Sequence, residues 1–255
     1  MNDLIAWKNK KNRQPLILKG ARQVGKTWLL NEFGRTAFED ALYVNMENAP
    51  GLKESFEGDI SPRKVIDLLG ALHGKRIKPR ETLLIFDEVQ EIPRALTALK
   101  YFAEAAPEYA VCCAGSLLGV ALHSGTSFPV GKVDFLTLQP LNFEEFLIAN
   151  GENTLVEYVK SHAVCAIERI ITEKLSEYLK QYFVIGGMPG AVSAWLETRD
   201  YSVVEGRQRD ILETYENDFS KHAPRNAVPK LRYLWNSVPS QLARENKKFI
   251  YGLVR

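Results

Sequence analysis

Short apolar runs alternate with helical patterns through the first 150 residues of the chain. One of these runs, Leu83–Phe86, is continuously apolar, which is typical of a strand covered on both faces in a parallel sheet. Five runs predict strands: Pro15–Gly20, Ala41–Asn45, Leu83–Phe86, Tyr109–Ala114 and Val133–Leu138. Three stretches have the apolar spacing and cap signals of helices: Lys26–Phe38, Ser61–Gly74 and Pro93–Ala106. This alternation predicts a three-layer α/β domain with a parallel sheet over residues 1–150.

The pattern becomes mainly helical over residues 152–222. It is interrupted at Gly186–Gly190, where three glycines and a proline stop a helix. A small helical domain is therefore predicted over residues 151–228. Residues 229–255 predict one helix and then an apolar stretch, Lys248–Tyr251, with no partner strand after it, as if the chain ended partway through a structural unit.

The composition excludes several classes of protein. The 255 residues are 45% hydrophobic and 25% charged, as in soluble globular domains, which excludes a disordered, collagen-like or simple coiled-coil chain. The 33 basic and 31 acidic residues leave a net charge of +2, so a nucleic acid or an anionic membrane would need a local basic patch. Lys8–Arg13 and Arg244–Lys248 are local basic clusters, although solvated surface is the more common explanation for each.

The cysteines and the N-terminus predict a cytoplasmic protein. Of the three cysteines, Cys112 and Cys113 are sequence neighbours, which is a poor start for a structural disulfide, and Cys165 is remote from them. The first residues lack the apolar stretch of a signal peptide, and no apolar run approaches the roughly 18 residues needed to cross a bilayer. We therefore expect no membrane partner.

A phosphate-binding motif lies between the first predicted strand and the first predicted helix. It has two glycines four residues apart, followed by Lys and Thr, which is the P-loop pattern. Such a loop turns its backbone N–H groups toward a phosphate, and the N-terminus of the following helix adds a positive dipole. We predict that Lys26 reaches the β- and γ-phosphates and that the Thr27 hydroxyl ligates magnesium. The predicted nucleotide-binding residues here are Gly20, Ala21, Arg22, Gln23, Val24, Gly25, Lys26, Thr27 and Trp28.

Two acids follow the continuously apolar strand. Asp87 stands at its end and is predicted to hold magnesium, and Glu88 is predicted to act as the general base that polarises the attacking water. Carboxylates at a strand end are often only solvated surface groups. Downstream of a P-loop they predict a second half of the same site.

Three further groups of residues have both a functional and an ordinary structural interpretation. Ser116 follows the fourth predicted strand and is a candidate sensor of the γ-phosphate, although an isolated serine there is also an ordinary turn residue. Lys132 is a candidate source of positive charge for the transition state, or a plain surface lysine. His162 and Cys165 share a predicted helical face, but two ligands do not make a zinc site.

The P-loop, together with Phe86–Gln90, Gly115–Leu118, Pro140–Phe146 and Gly186–Pro189, resembles the AAA+-type predicted ATPases of bacteria and archaea that carry a further C-terminal domain of unknown function. The resemblance covers nearly the whole chain. It implies an ATP- and Mg²⁺-binding core, a helical lid and a winged-helix-like segment starting near residue 229, with the C-terminal domain beyond Arg255. It also implies that Ser116 is the polar sensor and that Pro189 touches the adenine. Many relatives have arginine at the position of Lys132, and an ammonium does not reproduce a guanidinium fork.

These observations predict a magnesium-dependent ATPase that works as a motor or a molecular switch. One alternative is a P-loop kinase for a small molecule, and another is a non-hydrolysing, nucleotide-regulated module that associates with nucleic acid. Self-association, and a protein or nucleic-acid partner bound through sequence beyond Arg255, are further expectations.

Overall fold

The computed structural model describes residues 1–115, 131–163, 166–224 and 226–243. Contacts divide the chain into two units, Met1–Pro140 and Leu141–Arg255. The division lies before residue 150, where the sequence pattern placed the end of the core. The helix Phe143–Ala149 accounts for the difference, because its Phe146 packs in the second unit with Ile185 and Trp195.

The first unit contains a five-stranded, wholly parallel sheet in the order β2-β3-β4-β1-β5. The strands are β1 (Leu16–Gly20), β2 (Asp40–Asn45), β3 (Thr82–Asp87), β4 (Ala110–Ala114) and β5 (Asp134–Leu138). The helices are α1 (Asn2–Lys8), α2 (Lys26–Ala37), α3 (Pro50–Glu57), α4 (Pro62–His73) and α5 (Pro93–Ala105). A 3₁₀ turn, Val89–Glu91, connects β3 to α5.

Helices cover both faces of this sheet. All six residues of β3 are buried, and their side chains alternate between the two faces. Leu84 and Phe86 pack in one core with residues of α3, α4 and α5. Leu83 and Ile85 pack in a second core with residues of α1 and α2. The predicted three-layer α/β fold is therefore confirmed.

Two helices of the first unit were missed by the sequence pattern. The helix α3 lies between the predicted strand Ala41–Asn45 and the predicted helix Ser61–Gly74, where the sequence pattern predicted no element. Its two buried side chains, Leu52 and Phe56, are one helical turn apart. In α1, Leu4 and Trp7 are buried with the same kind of spacing. Each helix has at most eight residues, too short for a hydrophobic period to stand out.

The two adjacent cysteines of β4 lie on opposite faces of the sheet. Cys113 belongs to the core on the α5 side, and Cys112 to the core on the α2 side. Both are fully buried free thiols, and burial raises the pKa of each. Cys165 lies outside the described residues.

The second unit is helical throughout its described residues. Its helices are α6 (Phe143–Ala149), α7 (Asn153–Ser161), α8 (Arg169–Ile185), α9 (Pro189–Thr198), α10 (Tyr201–His222) and α11 (Val228–Leu242). The helix α8 ends at Ile185 and is capped by Gly186, whose positive φ of 73° suits glycine, and α9 begins at Pro189, as the sequence indicated. The roles of lid and winged helix stay predictions, and Lys248–Tyr251 lies outside the described residues.

No helix within the described ranges combines the length and the apolar character that crossing a membrane requires.

Two glycines inside helices offer a paired test of this packing. At Gly34 in α2, an added Cβ would lie 2.7 Å from Ala41 Cβ on the adjacent strand, whereas at Gly206 in α10 it would meet nothing within 4 Å. We expect Gly34→Ala to destabilise the protein by about 1 kcal/mol, because overpacking outweighs the gain in helix propensity. Gly206→Ala should instead add roughly 0.5–1 kcal/mol. Thermal unfolding followed by circular dichroism measures both, and an increase in Tm for Gly34→Ala would contradict the close contact between α2 and β2.

Candidate nucleotide-binding site

The loop between β1 and α2 has the backbone that the predicted P-loop requires. Gln23 and Gly25 have positive φ angles of 60° and 94°, so the chain turns sharply before α2 begins at Lys26. An added Cβ at Gly20 would lie 2.4 Å from the carbonyl oxygen of Leu138, so only glycine fits where β1 leaves the sheet. Gly25 caps α2 without a side-chain hydrogen bond, which leaves the first N–H groups of the helix available to an anion.

Lys26 reaches back across this loop. Its side chain is buried, and its Nζ donates hydrogen bonds to the carbonyl oxygens of Gly20 (3.0 Å) and Ala21 (2.7 Å). Burial lowers the pKa of Lys26, and the negative charges of Glu88 and Asp87 oppose that shift. The ammonium is thus held inside the loop, on the side where the two predicted acids lie.

Asp87 joins the P-loop to the other half of the sheet. It ends β3, and β4 lies between β3 and β1, so the two strands are about 10 Å apart. Thr27 Oγ1 nevertheless donates a hydrogen bond of 2.6 Å to Asp87 Oδ2. The structure therefore brings together the two residues that the sequence predicts as magnesium ligands.

Tyr43 is a member of this cluster that the sequence analysis missed. Its hydroxyl donates a 3.0 Å hydrogen bond to the same Asp87 Oδ2, while the backbone N–H of Glu88 donates to Oδ1 at 3.0 Å. Burial, the charge of Asp87 and the hydrogen bond to it raise the pKa of Tyr43 to about 12. The phenol is therefore protonated, and able to donate, over an even wider pH range than an ordinary tyrosine. The signal in the sequence was a phenol between the apolar residues Leu42 and Val44, since a tyrosine hydroxyl that is withdrawn from water usually has a partner.

Glu88 is held in an unusual conformation directly after β3. Its φ of 49° lies in the left-handed region, which is uncommon for a residue with a side chain. The side-chain amide of Gln90, in the following 3₁₀ turn, donates a hydrogen bond to the Glu88 carboxylate. Glu88 is half-buried, and it follows β3 at the carboxyl edge of the sheet, the edge at which the P-loop follows β1.

The remaining predicted nucleotide-binding residues have mixed surroundings. Val24 is buried, Arg22 is half-buried, and the Trp28 side chain is 69% exposed on α2. Ser116 lies outside the described residues. Pro189 begins α9 in the second unit, and its predicted contact with adenine stays a prediction.

Lys132 lies at the opposite edge of the sheet from the P-loop. It precedes β5, whose first residue pairs with Leu16 at the start of β1, and the P-loop follows the end of β1. Lys132 Nζ forms an ion pair of 3.1 Å with Glu104 in the last turn of α5. Because about 13 Å of strand separates the two edges, Lys132 does not reach the nucleotide site of its own chain, and its alternative interpretation, a surface lysine, fits this position.

The donor set suits magnesium better than a transition metal. A threonine hydroxyl and a carboxylate meet at 2.6 Å beside a phosphate-binding loop, and hard oxygen ligands of this kind are those that Mg²⁺ takes together with nucleotide phosphates. Among the described residues, no group of three His, Cys, Asp or Glu side chains is arranged to hold a metal. His162 stacks on Tyr158 at 4.1 Å between ring centroids.

The family comparisons match both parts of the chain. The first family is described as an AAA domain and matches residues 12–147, more than half of the chain. The second is described as a domain of unknown function and matches residues 176–255. A C-terminal domain of that description therefore begins within the chain, whereas the resemblance placed it beyond Arg255. No curated protein matches the chain.

Two solved structures have similar backbones. The Walker-type ATPase of Pyrococcus abyssi is 17% identical, with a TM-score of 0.49 over 87% of this chain and 73% of that chain. The ORC2 protein of Aeropyrum pernix, in ADPNP and ADP complexes, is 13% identical, with a TM-score of 0.49 over 100% of this chain and 74% of that chain. Both TM-scores are below 0.5, so neither structure assigns an activity to this chain.

Proposed function

The chain belongs to the AAA domain family, and from this premise we propose that it is a magnesium-dependent ATPase acting as a motor or a molecular switch. The observation that carries the proposal is the hydrogen bond of 2.6 Å between Thr27 and Asp87. It joins a phosphate-binding loop to a carboxylate from a strand two places away in the sheet. Phosphate binding alone needs only the loop, whereas hydrolysis also needs the acids.

Each residue of the site has its own role in the proposed hydrolysis of ATP. The backbone amides at the start of α2 and the Lys26 ammonium bind the β- and γ-phosphates and attract the negative charge that develops in the transition state. Thr27 and Asp87 hold Mg²⁺, which when bound neutralises phosphate charge. Glu88 accepts a proton from the water that attacks the γ-phosphorus, while the bond from that phosphorus to the bridging oxygen of the β-phosphate breaks and ADP leaves. Tyr43 and Gln90 touch neither substrate nor metal in this scheme, and they position the Asp87 and Glu88 carboxylates.

The experiment is ATP turnover by the purified chain, measured as phosphate release with Mg²⁺ and again with EDTA. We expect release only when both ATP and Mg²⁺ are present. A chain that binds ATP tightly but releases no phosphate would contradict the hydrolytic assignment.

A small-molecule kinase is the second enzyme candidate because it shares the P-loop. Glu88 favours hydrolysis, since a carboxylate next to the predicted metal ligand is placed to activate water. ADP release that rises several-fold only when a hydroxyl- or amine-bearing acceptor is added would favour the kinase.

The finer assignments rest on the same site. We propose that Ser116 senses the γ-phosphate and that Pro189 contacts the adenine, as the resemblance implies. Self-association and a protein partner remain proposals. Two buried free thiols support a reducing compartment, for which we propose the cytoplasm.

Tyr43 gives a test of how Asp87 is positioned. Tyr43→Phe removes one donor from Asp87 Oδ2 and keeps the ring, so we expect the half-saturating Mg²⁺ concentration for turnover to rise about three- to tenfold. Saturating Mg²⁺ should restore most of the turnover. Binding of a fluorescent ATP analogue in EDTA should stay unchanged, and the difference between its affinities with and without Mg²⁺ should shrink.

The matched control is Tyr101→Phe, the same change at an exposed tyrosine of α5. It should leave the Mg²⁺ dependence at the wild-type value. An equal shift in both variants, or no shift in Tyr43→Phe, would show that Tyr43 does not act through Asp87.

A further inference from the structure

The two edges of the sheet carry opposite charge. Five loops of the described chain lead into the amino ends of the strands, and together they contain eight Lys or Arg and three Asp or Glu. The loops that leave the carboxyl ends, where the P-loop lies, contain one Lys or Arg and three Asp or Glu. Since the whole chain has a net charge of only +2, positive charge is concentrated at the amino edge. The entering loops are residues 9–15, 38–39, 74–81, 106–109 and 131–133.

A groove at this edge, which we call the basic groove, collects several of these cations. It has a volume of about 660 Å³ and lies between the segment that leads from α1 into β1 and the turn before β4. Its charged lining residues are five cations and one carboxylate: Lys8, Lys10, Lys11, Arg13, Arg80 and Glu108. A concave surface with this imbalance attracts an anion with several charges.

Three of the cations are fixed in place. The Arg13 guanidinium donates to the carbonyl oxygens of Pro107 and Glu108, each at 3.3 Å, and lies 5.3 Å from the centre of the Trp7 ring. Lys10 forms an ion pair of 2.6 Å with Asp134, and Lys8 donates to the carbonyl oxygen of Ala37. Burial lowers the pKa of Arg13, and the nearby positive charge of Arg80 acts in the same direction. Both guanidinium groups line the same groove.

Lys11 and Arg80 complete the lining of the groove. Both are exposed, and neither has an ion-pair partner within the described part of the chain. Arg80 adopts a left-handed φ of 64°, and its backbone N–H bonds to the carbonyl oxygen of Glu108 at 3.0 Å. That bond ties the loop before β3 to the turn before β4, so the Arg80 side chain starts from a fixed backbone.

We propose that the basic groove binds the sugar-phosphate backbone of a nucleic acid. Lys and Arg side chains that contact phosphates bind nucleic acid without regard to sequence. A lipid surface is a poorer fit, because the uncharged lining residues are Asn12, Gln14, Ala103 and Pro107, and none is a large apolar side chain that could enter a bilayer. The groove and the P-loop lie at opposite edges of the sheet, about 13 Å apart along β1. The proposed site for the sugar-phosphate backbone is therefore separate from the nucleotide-binding site.

The test is fluorescence anisotropy with a labelled mixed-sequence DNA duplex of about 30 base pairs, measured from about 50 to about 200 mM salt. The wild-type chain should bind, and its affinity should fall with salt in proportion to the phosphates contacted. The double variant Lys11→Glu/Arg80→Glu should bind at least about tenfold more weakly, and its slope of log affinity against log salt should be smaller by about 2. Lys26→Ala should bind DNA as the wild type does, whatever happens to its ATP affinity.

The matched control is Lys53→Glu/Arg63→Glu, the same charge change at two exposed positions in α3 and α4. It should lose far less affinity than the groove variant, with Tm values checked for both. No binding by the wild type, or equal losses in the two double variants, would overturn the proposal. Binding to phosphatidylserine vesicles without binding to the duplex would also overturn it, in favour of a lipid ligand.

Discussion

Replacing Lys26 with alanine is expected to abolish ATP binding at the concentrations where the wild-type protein saturates. The substitution removes the ammonium that is held inside the P-loop by the carbonyl oxygens of Gly20 and Ala21. Each charge-assisted hydrogen bond to a phosphate contributes about 1.5–3 kcal/mol, so losing two of them raises the Kd roughly 10²- to 10⁴-fold. Isothermal titration calorimetry with ATP and Mg²⁺ measures this change directly.

Lys19→Ala is the matched control for that experiment. Lys19 lies on β1 next to the loop, but its ammonium sits over the Phe135 ring, 3.6 Å from the ring centre, and not in the loop. The same loss of charge at this position should change the Kd by no more than about twofold. If Lys26→Ala bound ATP as tightly as Lys19→Ala, the loop would not be the phosphate site.

The second large effect is expected for Glu88→Gln, which should bind ATP normally and hydrolyse it about 10²- to 10³-fold more slowly. General-base catalysis is worth roughly 10²- to 10⁴-fold, and a glutamine amide does not accept the proton of the attacking water. The substitution keeps the shape of the side chain and an oxygen that can accept the hydrogen bond from Gln90. Phosphate release and ATP affinity, measured on the same preparation, separate catalysis from binding.

Glu91→Gln is the control because Glu91 lies in the 3₁₀ turn that follows Glu88 but has no described contact with the P-loop. It should keep wild-type turnover. If Glu88→Gln hydrolysed ATP as fast as Glu91→Gln, another group would have to be the base. A parallel loss of ATP affinity in Glu88→Gln would instead indicate that Glu88 shapes the loop.

The strands and the P-loop were predictable because each has a local signal. The continuous apolar run before Asp87 marks a strand buried on both faces, and the glycine spacing of residues 20–27 marks a phosphate loop. The order of the strands in the sheet has no such local signal. That β4 lies between β1 and β3 depends on contacts between distant segments, and it decides which side chains reach Asp87.

Tyr43 and Lys132 show the two consequences of this limit: a site residue that the sequence does not reveal, and a candidate that lies away from the site. Tyr43 reads as one more apolar strand residue, and only its alignment with Ile85 in β3 brings its hydroxyl to Asp87. Lys132 reads as a candidate transition-state cation, and only its place before β5 removes it from the site. In a parallel sheet, a residue that precedes a strand lies at the amino edge and one that follows a strand lies at the carboxyl edge, and Lys132 precedes β5.

The two adjacent free thiols at the centre of the sheet make it possible to measure how often the first unit opens. Cys112 and Cys113 point to opposite faces, so an oxidant does not join them to each other, and a maleimide reaches either one only when the covering helices separate from the strands. The labelling rate at each cysteine, resolved by peptide mass spectrometry, therefore reports the opening of its own layer. Nucleotide that ties the loop before α2 to the end of β3 should slow labelling of Cys112 more than it slows labelling of Cys113, because α2 covers the Cys112 face.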